Sequence, residues 1–163
     1  MVTFEESDMT FSFDDRSVYR IEKSATLNAI SGCKSCECIV FLRGKVFFIE
    51  AKQSSPRTES KERFLEFIEE ISTKFSDSFS FFHSVHLHRH PEEHLPEDLQ
   101  HTSLCYSDYQ FFLIINGHPK EWLPPLQDQL KKSMRKMLRI WGIKDVSVKV
   151  INDQIARSYG LIA

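Results

Sequence analysis

Two acidic residues and a lysine, Glu37, Glu50 and Lys52, lie where a short β-hairpin would gather them. Glu37 opens the β-rich run ECIVFL, and Glu50 sits inside a second one, KVFFIEAK, with Arg43-Gly44 between the two runs. Glycine supplies the positive φ that a tight hairpin turn needs. With a two-residue turn, Leu42 pairs with Lys45, Phe41 with Val46, Ile39 with Phe48, and Glu37 with Glu50. Alternation then sets both carboxylates and Lys52 on one face of the hairpin. Like charges placed opposite one another destabilise a sheet, and the apolar neighbours Ile39 and Phe48 make an uncompensated charge costlier still. A divalent cation resolves the conflict, and an all-oxygen donor set suits Mg²⁺ or Mn²⁺. The other reading is an open hairpin end, with both acids solvated and Lys52 bridging them as a surface ion pair. A three-residue turn would break the facing register altogether.

These residues need elements to position them. The first fifteen residues are acidic and carry little periodic signal. The string SVYRIEKSATLNAI reads as a helix, or as a strand leading into a short helix. After the hairpin, Ser54-Ser55-Pro56 ends the second strand, and a long helix begins near Thr58. Phe64, Ile68, Ile71 and Phe75 recur in it at helical spacing, a stripe that Phe79 and Phe82 extend. The His- and Pro-containing stretch from His88 to Ser107 reads as loop. YQFFLIIN is a short buried strand, Pro124 opens a helix reaching to about Trp141, VSVKVIN is a last strand, and DQIARSYGLI a closing helix. The expected fold is α/β, a single domain over residues 1–163 with a mixed central β-sheet flanked by helices.

Composition bounds the function. A chain of 163 residues, 41% hydrophobic with 14 Phe, can bury a core without cross-links. The absence of a long apolar run and of a leader-like N-terminus predicts a soluble, cytoplasmic protein. Net charge is −2, from 21 Lys and Arg against 23 Asp and Glu, which weighs against bulk electrostatic capture of nucleic acid. Local charge runs the other way: Lys131, Lys132, Arg135, Lys136 and Arg139 fill the arc of a helical wheel opposite Leu126, Leu130, Met134, Met137, Leu138 and Trp141. Such a basic face can track a phosphate backbone, or it can simply be solvated. Cys33, Cys36 and Cys38, with His83, His86, His88, His90 and His94, invite a structural-zinc reading. The cysteines lack the second ligand pair that zinc knuckles use, and small buried apolar roles account for them equally.

The span from Glu37 through Val46-Phe47-Phe48-Ile49-Glu50-Ala51-Lys52 resembles the core of the PD-(D/E)XK nuclease superfamily. Its pattern is an acid at the start of one strand and acid-x-lysine in the next, after a hydrophobic run. Two positions depart from it: Glu37 stands where Asp is usual, and Cys36 where Pro is usual. The resemblance implies a restriction-endonuclease-like core with α-β-β-β-α-β order, in which a third meander strand has no evident place in this sequence. It implies a metal-dependent nuclease, endo- or exonucleolytic, acting on DNA with Glu37, Glu50 and Lys52 as catalytic residues. Mg²⁺ or Mn²⁺ would be held by Glu37 and Glu50 with Glu22 and the Ala51 carbonyl. The small size leaves targeting to a protein partner or to self-association as a homodimer. The substitution at Glu37 leaves open a second expectation, a catalytically inactive nuclease-fold subunit that binds nucleic acid or a protein assembly.

Overall fold

The computed structural model describes all of residues 1–163. Strands β1 (Val2–Glu6) and β2 (Met9–Phe13) form an antiparallel hairpin of their own. A five-stranded sheet follows in the order β3 (Val18–Tyr19), β4 (Cys38–Leu42), β5 (Lys45–Lys52), β6 (Asp108–Ile115) and β7 (Val148–Asn152). β3, β4 and β5 are antiparallel neighbours, whereas β5, β6 and β7 run parallel. Parallel neighbours need long crossovers, and two helices supply them: α2 (Lys61–His86) joins β5 to β6, and α4 (Leu123–Ile140) lies between β6 and β7. Short helices α1 (Ala25–Asn28), α3 (Glu97–Gln100) and α5 (Asp153–Ser158) complete the chain. The architecture is α/β, a mixed sheet flanked by helices.

The central strands are apolar on both sides because both sheet faces are covered. On one face Ile39, Phe48, Phe111 and Leu113 pack beneath the α2 stripe of Phe64, Ile68, Ile71, Phe75, Phe79 and Phe82 and the α4 stripe of Leu126, Leu130, Met134 and Leu138. Phe48 is the hub of this layer. Its ring stacks on Phe111 at 5.1 Å and meets Phe82 edge-on at 5.8 Å, and truncation to alanine would cost about 3–5 kcal/mol. On the other face Cys38, Val40, Phe47, Ile49 and Phe112 pack against Met9, Phe11 and Phe13 of β2 and the C-terminal residues Leu161 and Ile162.

Several expectations need amendment. The N-terminal segment is a regular hairpin, with Ser7 and Asp8 both at positive φ in its turn. The segment after Ser17 takes the second of its two readings, with β3 followed by a 3₁₀ turn (Ile21–Lys23) and α1. β3 is the third meander strand, but it precedes α1, so the local order is β-α-β-β-α-β. The histidine-containing stretch is loop apart from the single turn of α3. At the far side of the sheet, Val150 N–H donates 3.0 Å to Gln127 Oε1 of α4. No helix is long and apolar enough to cross a membrane.

Candidate metal and phosphate site

The turn that fixes the site is the expected one. Arg43 and Gly44 have φ of 50° and 76°, the pair of left-handed conformations that a type I′ turn requires. The register follows from Leu42 opposite Lys45 to Cys38 opposite Ile49. There the ladder stops. Glu37 N–H donates 2.9 Å to the carbonyl of Ile49, not to Glu50, so Glu37 is not the ladder partner of Glu50. The irregularity also turns Cys36 into the α2-side core, while Cys38 faces the β2 side.

Glu50 lies fully buried at the end of the α2-side face. Its Oε1 accepts from Lys74 Nζ of α2 at 2.6 Å and lies 3.6 Å from Lys52 Nζ, while its Oε2 is buried with no hydrogen-bond partner. Burial raises the Glu50 pKa, and the two ammonium groups only partly offset it. Burial would lower the Lys74 pKa, but Glu50, Glu37 and Glu70 outweigh it and hold the ammonium charged. Lys52 is itself shared, 3.6 Å from Glu70 on the half-exposed flank of α2.

Glu37 lies half-buried at the mouth of this network. Burial first, then the charges of Glu50, Glu6 and Glu22, push its pKa up to about 7 against the pull of Lys74. Its nearest acids are not the expected set. Glu37, Glu22 and Glu6 bring one carboxylate oxygen each within 4.8 Å of the others, the only group of three or more His, Cys, Asp or Glu side chains close enough to share an ion. Glu22 reaches the cluster from the 3₁₀ turn, as its position in the sequence suggests, and Glu6 arrives from the end of β1. Arg20 pairs with Glu22 and lies 3.7 Å from Glu6, its guanidinium held 3.6 Å over the Phe4 ring. Glu22 Oε2 is nonetheless buried without a partner, and burial raises its pKa despite Arg20. Ala51 packs in the opposite core and sits in the β5–β6 ladder facing Ile114.

The site therefore has two lobes, the acids Glu6, Glu22 and Glu37, and the network Glu50, Lys52, Lys74 and Glu70. Three raised carboxyl pKa values and two orphaned carboxylate oxygens are unfavourable in the protein alone; the Glu6, Glu22 and Glu37 oxygens are close enough together to share one hard cation, and Glu50 lies outside that group. The donor set fits such an ion. Glu6, Lys74 and Glu70 lie outside the sequence motif. The alternation Met9-Thr-Phe-Ser-Phe13 signals the hairpin that brings Glu6 in, and Lys74 stands one helical turn after Glu70.

The cysteine and histidine groups do not assemble. All four cysteines are free: Cys36 and Cys38 are buried, with thiol pKa values raised by that burial, while Cys33 is half-buried and Cys105 exposed. His83 bonds to the Phe79 carbonyl at 2.7 Å and the Tyr109 hydroxyl at 2.8 Å, and His86 to the Thr102 carbonyl at 2.9 Å, all structural partners. On α4, Lys132, Arg135, Lys136 and Arg139 are exposed and Lys131 is half-exposed, and none of the five forms an ion pair with an acid. Against this geometry no protein-family model, curated protein or solved structure matches the chain.

Proposed function

We propose that the protein is a metal-dependent nuclease that hydrolyses phosphodiester bonds in DNA. The observation that carries the reading is the acid cluster of Glu6, Glu22 and Glu37 beside the buried Glu50 and the shared Lys52, with two carboxylate oxygens left unpartnered. The β4–β5 hairpin, the α2 crossover and the parallel β6 have the connectivity expected of a PD-(D/E)XK core; β3 preceding α1 departs from it.

Glu6, Glu22 and Glu37 would hold Mg²⁺ or Mn²⁺; Glu50, paired with Lys74 and outside that group, and the Ala51 carbonyl would join them only after Glu50 turns from Lys74. The ion would supply a bound water of lowered pKa and positive charge on the scissile phosphate. Lys52, held between Glu50 and Glu70, has the reach and charge to steady that water or the developing phosphate charge. The unpaired basic face of α4 would be the track for the backbone away from the acids. Four free thiols fit a reducing, cytoplasmic setting.

The test is cleavage of plasmid and linear DNA with Mg²⁺ or Mn²⁺, wild type against Lys52→Ala and Glu50→Ala. Loss of about 100-fold or more in rate is expected of Lys52→Ala. Equal activity in both variants would sink the catalytic assignment. A second reading, an inactive nuclease-fold binding subunit, is favoured by the built-in cations, because Lys74 and Arg20 already sit on Glu50 and Glu22. Tight DNA binding without cleavage under any metal would select it.

A further inference from the structure

The chain leaves Lys52 and enters a cleft of about 500 Å³, formed by the loops that follow β5 and β6 and by the start of α4. The two loops are tied at their roots, since Asn116 N–H donates 2.9 Å to the Lys52 carbonyl. Phe64 and Leu126, both buried, also line the cleft, and both belong to the α2-side core that Glu50 faces. Phe64 precedes Glu70 by six residues on α2, so the cleft lies about 9 Å along the helix from the partner of Lys52. That is on the order of two to three nucleotides of a strand that rises ~3.4 Å per base.

The lining is specific in chemistry. Trp122 is 54% exposed, and its ring meets that of His118 at 5.6 Å and 73°, which braces the indole on one side. Arg57 is exposed and forms no ion pair. Gln53 and Asn116 each spend their amide NH₂ on the β1–β2 turn, donating 2.9 Å to Asp8 Oδ2 and 3.0 Å to the Ser7 carbonyl. Their carbonyl oxygens accept no hydrogen bond within the protein. Glu59 and Glu121 add two more acceptors at the same cleft. These four acceptors take N–H donors, and Arg57 supplies positive charge at the same cleft. Among unpaired nucleobases, cytosine N4, adenine N6 and guanine N2 offer an amino group with two N–H donors, whereas thymine offers only the single N3–H. Stacking on an aromatic ring is available to any unpaired base.

We propose that this cleft is a subsite for one unpaired nucleobase of the strand being cut, stacked on Trp122 and selected for an exocyclic amino group, with Arg57 on the adjoining phosphate. The protein then acts on single strands and frayed ends in preference to closed duplex. The inference rests on the nuclease reading for the identity of its ligand.

The test uses the full chain with Ca²⁺ in place of Mg²⁺ and labelled octamers of dC, dA and dT, read by fluorescence anisotropy. The dC and dA octamers should bind more tightly than dT. Trp122→Ala should weaken dC binding by about 5- to 150-fold, as expected for loss of one base stack, and Trp122→Phe should recover most of it. Equal affinity for dC and dT, together with no loss in Trp122→Ala, overturns the subsite. Cleavage that depends on Lys52 but not on Trp122, for single strands and duplex alike, overturns the subsite while sparing the nuclease. Base-selective, Trp122-dependent binding with no cleavage in Mg²⁺ or Mn²⁺ supports the subsite and removes the nuclease.

Discussion

Replacing Glu37 with glutamine should make the metal-free protein more stable and its site useless. Folding carries this carboxyl from an ordinary value of 4.5 to about 7, through burial and the charges of Glu50, Glu6 and Glu22. A raised pKa means that the folded state binds the proton more tightly. The native protein is therefore favoured below pH 4.5 and loses that advantage as pH climbs to about 7, beyond which the loss is complete. The full interval corresponds to roughly 3 kcal/mol at ~1.4 kcal/mol per pH unit. Glu37 is half-buried and solvent screens its repulsions, which reduces the figure to about 1–2 kcal/mol. Glu37→Gln removes the charge without changing the shape. In EDTA at pH 8 it should raise the urea unfolding free energy by that amount, or Tm by ~2–8 °C for a chain of this size. At pH 4.5 the wild-type carboxyl is largely protonated and the advantage should shrink toward zero. Mn²⁺ at 100 times its dissociation constant should stabilise the wild type by about 2.7 kcal/mol and the variant far less. A variant less stable than wild type at pH 8, or an equal gain at both pH values, would refute the electrostatic account of the site.

The Lys74–Glu50 contact should behave in the opposite sense. Lys74→Met leaves the fully buried Glu50 carboxylate with only the 3.6 Å contact to Lys52, at a cost of up to about 3–5 kcal/mol at pH 8. The deficit should narrow on acidification as Glu50 takes up a proton, and urea titrations at pH 5 and 8 check it; a pH-independent deficit would mean lost packing instead. On α4, neutralising Lys132, Arg135 and Arg139 with glutamine should leave stability within about 0.5 kcal/mol. If each contacts one duplex phosphate, the variant should lower the magnitude of the log–log salt slope of DNA binding by ~0.9 per residue. An unchanged slope would place the backbone elsewhere.

What the sequence discloses depends on how local each cause is. Arg43-Gly44 fixes the β4–β5 register because a type I′ turn admits one pairing, and the apolar stripes of α2 and α4 repeat at the helix period. Glu37 lies just beyond the reach of that logic, because the ladder ends one residue before it and turn geometry no longer controls its direction. Glu6 was hidden for a different reason. Its strand is short, with Val2 and Phe4 interleaved with Thr3 and Glu5, so the acidic composition of the first fifteen residues masks a period-two pattern. Lys74 is one charge among many on the polar side of α2, and only the crossing of α2 over β5 singles it out.

The contact between Gln127 and Val150 bears on how copies of this chain can meet. A sheet ends in strands whose outward amides and carbonyls invite another strand. At one margin the invitation is two residues long, the length of β3. At the other, α4 places a side-chain carbonyl on the central outward amide of β7, so that position is already occupied. Joining two sheets edge to edge into one continuous sheet is thereby discouraged at both margins. A homodimer, if this protein makes one, is then steered away from these two margins, so its strength and partner choice can change without disturbing the strands that hold Glu50 and Lys52.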